Sequence, residues 1–179
     1  MRVGKRALFL TIAVLFAVSG VATADHGIGN LTGQQVLTGI PIVMTPHQQP
    51  ANFSMQVRED AAKSRGIATL KQVGHDVHYT FSWQDLTSPV TSAHFHKAPH
   101  GAHAHVGVRA FSVCGVPGES PACPTGTTSS ITGIWKNADI AAIEHGEVTV
   151  AFHTEVYPAP MGELGVYLGK ALPVHAQAR

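Results

Sequence analysis

The chain has 179 residues, of which 13% are charged, and its 12 Lys and Arg residues nearly balance 11 Asp and Glu residues. Histidine occurs 12 times, so imidazoles supply much of the polar character. Without a basic excess, the composition argues against a nucleic-acid-binding surface and against electrostatic attachment to an anionic membrane. The chain also lacks a P-loop, a dinucleotide-binding fingerprint and the Gly-x-Ser-x-Gly elbow of serine hydrolases.

Residues 1–24 are predicted to be a secretory signal peptide. Arg2, Lys5 and Arg6 form a basic start, an apolar run follows, and Ala22-Thr-Ala24 is a small-x-small cleavage site. The run is too short for a typical spanning helix, although an uncleaved anchor is the alternative. After cleavage nine basic residues face 11 acidic ones, a net charge of −2. We therefore expect a periplasmic or secreted protein that does not associate with the membrane.

Residues 25–51 are predicted to be an N-terminal extension, and residues 52–179 a single β-domain. The extension contains one apolar run, residues 39–44, and Pro41 within it would be tolerated only in an edge strand.

The rest of the chain has the period-two pattern of β-strands. Residues 77–84 alternate strictly between apolar and polar side chains, which predicts a half-buried strand. Further strands are predicted at residues 52–57, 66–73, 90–96, 105–113, 130–135, 147–154 and 163–168. One short helix is predicted from an N-cap at Asn137 to a C′ glycine at Gly146. Short strands with little helix predict an antiparallel β-sandwich of the Greek-key type or a barrel, and we favour the sandwich.

Two His-x-His pairs lie close together between residues 92 and 106. Side chains two positions apart on a strand share a face, so His94 and His96 project together and Phe95 projects oppositely. Neutral imidazole is the commonest metal ligand, and two on one face are half of a metal site. His100, His103 and His105 follow and form a second tier of candidate ligands. The alternative is a solvated polar loop without metal.

The same face argument adds two residues to the candidate site. In residues 148–153 the apolar set is Val148, Val150 and Phe152, which leaves His153 on the other face. In residues 163–168 the apolar set leaves Glu163 on the outer face. If the strands are neighbours, His94, His96 and His153 form a cluster with a carboxylate nearby, and otherwise they are unrelated surface residues.

Cys114 and Cys123 are the only cysteines. An even count in an oxidising compartment favours a disulfide across the Gly- and Pro-containing loop between them. Metal binding by two thiolates is the less favoured alternative.

Several of these motifs together resemble the CHRD domain, named for its occurrence in chordin and found in bacterial exported proteins. The resemblance rests on residues 88–96, Gly133-Ile-Trp135, residues 148–154 and Met161-Gly-Glu-Leu164. It implies a small Greek-key-type β-sandwich and does not settle function. The extra histidines, the cysteine loop and Met161, where the family usually has glycine, depart from the family pattern.

A second similarity concerns copper/zinc superoxide dismutases, which also place a His-x-His strand and a later histidine on a β-sandwich. The chain lacks a matching zinc loop and electrostatic-loop arginine, so this similarity remains an analogy.

The donor set favours copper. Imidazoles, with a carboxylate from Glu163 and a thioether from Met161 as further candidates, suit copper, and zinc is the nearest competitor. The predicted function is an exported copper-binding protein for storage, delivery or sensing. A superoxide-dismutase-like copper enzyme and a structural or adhesive domain without metal are the alternatives. The expected partner is a metal ion, with a homodimer left open.

Overall fold

A computed structural model describes residues 33–46, 61–98 and 107–168. The predicted signal peptide, the predicted strand at residues 52–57 and the second-tier histidines His100, His103 and His105 lie outside the described residues. Within the described ranges, no helix is both long and apolar enough to cross a bilayer.

Eight strands and two short helices make up the described part of the chain. The helices are α1 (Gly33–Val36) and α2 (Ile140–Glu144). The strands are β1 (Ile42–Met44), β2 (Arg65–Val73), β3 (Asp76–Gln84), β4 (Val90–Lys97), β5 (Val108–Cys114), β6 (Ser129–Trp135), β7 (Val148–Thr154) and β8 (Leu164–Leu168).

The strands form two four-stranded antiparallel sheets. The first sheet has the order β1-β2-β3-β6 and the second the order β5-β4-β7-β8. The chain therefore crosses between sheets after β3, after β5 and after β6. The predicted antiparallel sandwich is confirmed, and β1 is an edge strand of the first sheet, as Pro41 beside it predicted.

Aromatic side chains from both sheets fill the space between them. The Phe81 ring of β3 lies 5.7 Å from the Phe95 ring of β4 and 5.3 Å from the Phe152 ring of β7, measured between centroids. All three side chains are fully buried. Because strand side chains alternate between faces, this packing turns the neighbours of Phe95 and Phe152 to the opposite face of the second sheet.

The helix before β7 is shorter than predicted. It begins after Asp139, whose carboxylate accepts a hydrogen bond of 3.0 Å from the amide of Ala142. The prediction of Asn137 as N-cap was wrong, because Asn137 occupies a left-handed turn with φ of 49°. Gly146 follows the C-cap with φ of 71°, as predicted for a C′ glycine.

The carboxylate of Glu163 joins four segments at one end of the sandwich. It accepts hydrogen bonds from the Ser64 hydroxyl before β2, the Thr87 amide and hydroxyl after β3, and the Thr154 hydroxyl at the end of β7. The Glu163 side chain is fully buried. Four donors offset the loss of hydration that a buried carboxylate would otherwise suffer.

Glu163→Gln should lower the free energy of unfolding by about 1–3 kcal/mol. The amide presents a donor to a site where every neighbour donates, so at least one hydroxyl or amide loses its acceptor. Urea denaturation of the variant and of wild type measures the difference. Glu144→Gln, an exposed change at the end of α2, is the matched control and should leave stability within about 0.5 kcal/mol of wild type. Equal stability of Glu163→Gln and wild type would show that these hydrogen bonds contribute nothing net.

Candidate metal centre

Three histidines converge on the face of the second sheet that points away from the core. β4 pairs with β7 so that His94 lies opposite Ala151 and Ser92 lies opposite His153. The ring centroids of His94 and His153 are 5.3 Å apart, and those of His94 and His96 are 5.7 Å apart. One nitrogen of each ring lies within 4.8 Å of the nitrogens of the other two.

This spacing is close to that of a three-imidazole metal site. Nitrogens bound to one zinc ion at about 2.0–2.1 Å are at most about 4.2 Å apart. The three nitrogens are therefore near enough that rotation of the side chains could place them on a common ion.

Four of the six ring nitrogens are buried and have no partner in the described part of the protein. Nε2 of His94, Nε2 of His96 and both nitrogens of His153 make no hydrogen bond within the described part of the chain. His94 and His153 are themselves buried, and His96 is half-buried. Buried polar atoms are nearly always paired in native proteins, so this concentration of unpaired nitrogens calls for a specific explanation.

His96 has a fixed orientation. Its Nδ1 lies 3.3 Å from the carbonyl oxygen of Gly107, which favours a proton on Nδ1 and leaves the Nε2 lone pair available. Gly107 is needed for this approach, because a side chain there would overlap the Lys97 carbonyl. A histidine that binds metal commonly donates its other ring N–H to a carbonyl in this way.

The three imidazoles are held in the neutral form. Burial is the main cause that lowers the pKa of His94 to about 4 and that of His153 to about 3, and the mutual repulsion of the rings adds to it. Burial also lowers the pKa of His96, while the Gly107 hydrogen bond opposes this. At neutral pH the nitrogen lone pairs are therefore not occupied by protons.

An ion pair between Arg109 of β5 and Glu119 of the following loop flanks the cluster. Ser112 lies directly opposite His94, and Arg109 directly opposite His96. The carboxylate of Glu119 accepts hydrogen bonds of 3.0 Å from the Ser112 hydroxyl and from the Arg109 guanidinium. The charges of Arg109 and Glu119 act on the pKa of His94 in opposite directions, lowering and raising it respectively.

The disulfide predicted between Cys114 and Cys123 is present. No thiolate from this pair is available to a metal, and the loop it closes carries Glu119. Sequence reasoning missed Arg109 and Ser112, because their positions depend on irregular strand pairing, and it missed Glu119 and Gly107, which lie outside the strands.

Among the described residues, the structure does not bring the predicted ligand Glu163 to the cluster. Glu163 was predicted on the outer face, but its carboxylate turns inward to Ser64, Thr87 and Thr154. The reason is that β8 begins at Leu164, so Glu163 belongs to the preceding turn and not to the strand alternation. Met161 lies in the same turn and is 37% exposed. Tyr167 does lie on the outer face, opposite Thr149.

The metal-free protein should lose stability as the pH falls below about 6.5. The unfolded chain binds protons on His94 and His153 near pH 6.5, whereas the folded chain resists them down to about pH 4 at His94 and about pH 3 at His153. In that window the unfolded state holds more protons, so acidification favours it.

Urea denaturation in the presence of a chelator, at pH 7.5 and pH 5, measures this effect. His153→Asn should reduce the loss between the two pH values, while His78→Asn, at an exposed position on β3, should leave it as in wild type. Identical pH dependence in wild type and His153→Asn would contradict the prediction.

Comparison with known proteins identifies the family. The family model described as "CHRD domain" matches residues 29–165, well over half of the chain. Among the curated proteins and the solved structures compared with the chain, none matches it. The match includes β4 with its His-x-His pair and β7 with His153, so the histidine face lies within the domain. On this match, the chain belongs to the CHRD domain family.

Proposed function

We propose that this protein is an exported metal-binding protein that holds one copper ion with His94, His96 and His153. The single observation that carries the proposal is the convergence of two buried imidazoles and one half-buried imidazole, each with at least one buried nitrogen that has no hydrogen-bond partner in the described chain.

The energetic argument favours a ligand for these nitrogens. An unpaired buried polar group costs roughly 1–3 kcal/mol on mutational scales. Four such atoms in one place are expensive unless something compensates for them. A metal ion would bind one nitrogen of each ring, and the Gly107 carbonyl already receives the remaining N–H of His96.

The donor chemistry favours copper over other metals. Imidazole nitrogens bind copper, zinc and nickel, and affinity for divalent ions rises to a maximum at Cu(II). Calcium and magnesium prefer oxygen ligands, and the only cysteines form a disulfide. Zinc, which also accepts three histidines, remains the principal competitor.

The disulfide also bears on where the protein acts. Disulfides persist in secreted and periplasmic proteins and are rare in the cytosol, which fits an extracytoplasmic β-domain. Storage, delivery or sensing of copper in the periplasm would suit a binding domain of this kind.

His96→Ala should lower the affinity for Cu(II) by at least about a hundredfold, because it removes one of three ligands. The domain should stay folded, since the core residue of this strand segment is Phe95 and not His96. Competition titration against a chelator of known affinity, on untagged protein, gives the affinity, and circular dichroism reports the fold. Elemental analysis of the purified protein identifies the metal.

His78→Ala is the matched control, because His78 is an exposed histidine on a strand of the other sheet. It should bind copper as wild type does. The proposal fails if the wild type takes up neither copper nor zinc, or if the triple alanine variant of His94, His96 and His153 binds as tightly as the wild type.

A further inference from the structure

We propose that Glu119 and Arg109 form a charge pair that sets the preference of the histidine site between divalent and monovalent metal ions. This inference rests on the proposed function and assigns a role to residues outside the three ligands. Glu119 would favour the divalent ion and Arg109 would disfavour it.

The pairing of β4 with β5 is irregular at His94 and at His96, the two proposed ligands on β4. The register shifts between Ala93 and His94 and again between Phe95 and His96. In a regular strand Arg109 would share a face with Phe111, two positions away. The second shift instead places Arg109 opposite His96, on the histidine face, while Phe111 stays opposite Phe95.

The first shift does the same for Ser112. It makes Ser112, and not its buried neighbour Val113, the direct partner of His94. Directly opposed residues have Cβ atoms about 4.5–5.5 Å apart. Ser112 then holds the Glu119 carboxylate at 3.0 Å, one strand away from the imidazole of His94.

The loop between Cys114 and Cys123 positions the carboxylate of Glu119. The disulfide joins its two ends, and the Gly115 amide donates to the Pro121 carbonyl while the amides of Glu119 and Ser120 donate to the Val116 carbonyl. Three backbone hydrogen bonds and the covalent closure constrain the backbone that carries Glu119. Both of its oxygens are then engaged, one by Ser112 and one by Arg109.

The charge balance explains what the pair would do. Three neutral imidazoles contribute no charge, so a bound ion keeps its full +1 or +2 in a partly buried setting. Coulomb energy is proportional to the charge of the ion, so one fixed carboxylate stabilises a divalent ion twice as strongly as a monovalent one. The factor by which the carboxylate raises the affinity for the divalent ion is consequently the square of the factor for the monovalent ion.

The test uses two variants with opposite expected signs. Glu119→Gln should weaken Cu(II) binding about tenfold and Cu(I) binding about threefold, as expected for a partly solvated charge several ångströms from the ion. Arg109→Gln should strengthen both, again with the larger change for Cu(II). Affinities for Cu(II) and Cu(I) are measured separately by competition titration, and raised salt should shrink every difference.

The exposed pair Arg65–Asp85 supplies the matched control. Its atoms are 3.0 Å apart and its side chains are similarly exposed, but it lies at the end of the first sheet. Arg65→Gln and Asp85→Asn should leave both copper affinities as in wild type. Intact mass of each variant verifies that the Cys114–Cys123 disulfide is retained.

The outcomes separate this inference from the proposed function. If the wild-type protein takes up neither copper nor zinc, both the proposed function and the charge-pair inference are wrong. Wild-type binding with unchanged Cu(II) and Cu(I) affinities in Glu119→Gln overturns only the charge-pair inference. Two variants that both weaken binding, by the same factor for Cu(II) and Cu(I), also overturn it, because a loss of loop structure would act that way.

Discussion

The packing of Phe81 against Phe95 and Phe152 decides where the histidines can be. These contacts join the two sheets and bury all three rings. Because a strand has a period of two, a slip of one residue in β4 or β7 would move the histidines into the core and the phenylalanines out of it. The hydrophobic effect, acting on the phenylalanines, thus fixes the position of the polar cluster.

The face of the second sheet that carries the histidines has polar side chains and is nevertheless largely buried. His94 and His153 are buried to nearly the same degree as core residues, and every residue of β7 is buried. Desolvation keeps the imidazoles uncharged, so protons do not compete for their lone pairs at neutral pH. Unpaired buried polar atoms lower the stability of a fold, and natural proteins tolerate them mainly at functional sites.

The alternation of β4 and β7 was enough to predict that His94, His96 and His153 share the non-core face. It was not enough to predict that the strands are neighbours, because 58 residues separate His94 from His153 and the sandwich topology brings them together. Glu163 was misplaced because the alternation was extended one residue beyond the start of β8. Arg109, Ser112 and Glu119 could not be found from the pattern, because two register shifts and a disulfide-closed loop determine where they point.

Glu163 and Glu119 both lie near the second sheet, but their different environments give their carboxylates different roles. Glu163 is fully buried, and the four hydrogen bonds that its carboxylate accepts from neutral donors join the ends of strands. Glu119 remains half exposed and is paired with a cation, yet it sits one strand from His94. The two oxygens of Glu163 accept four hydrogen bonds, whereas each oxygen of Glu119 accepts one, from Arg109 or Ser112. If the histidines hold a metal ion, as proposed, its ligands in the described part of the chain would be imidazoles, with Glu163 acting through structure and Glu119 through charge.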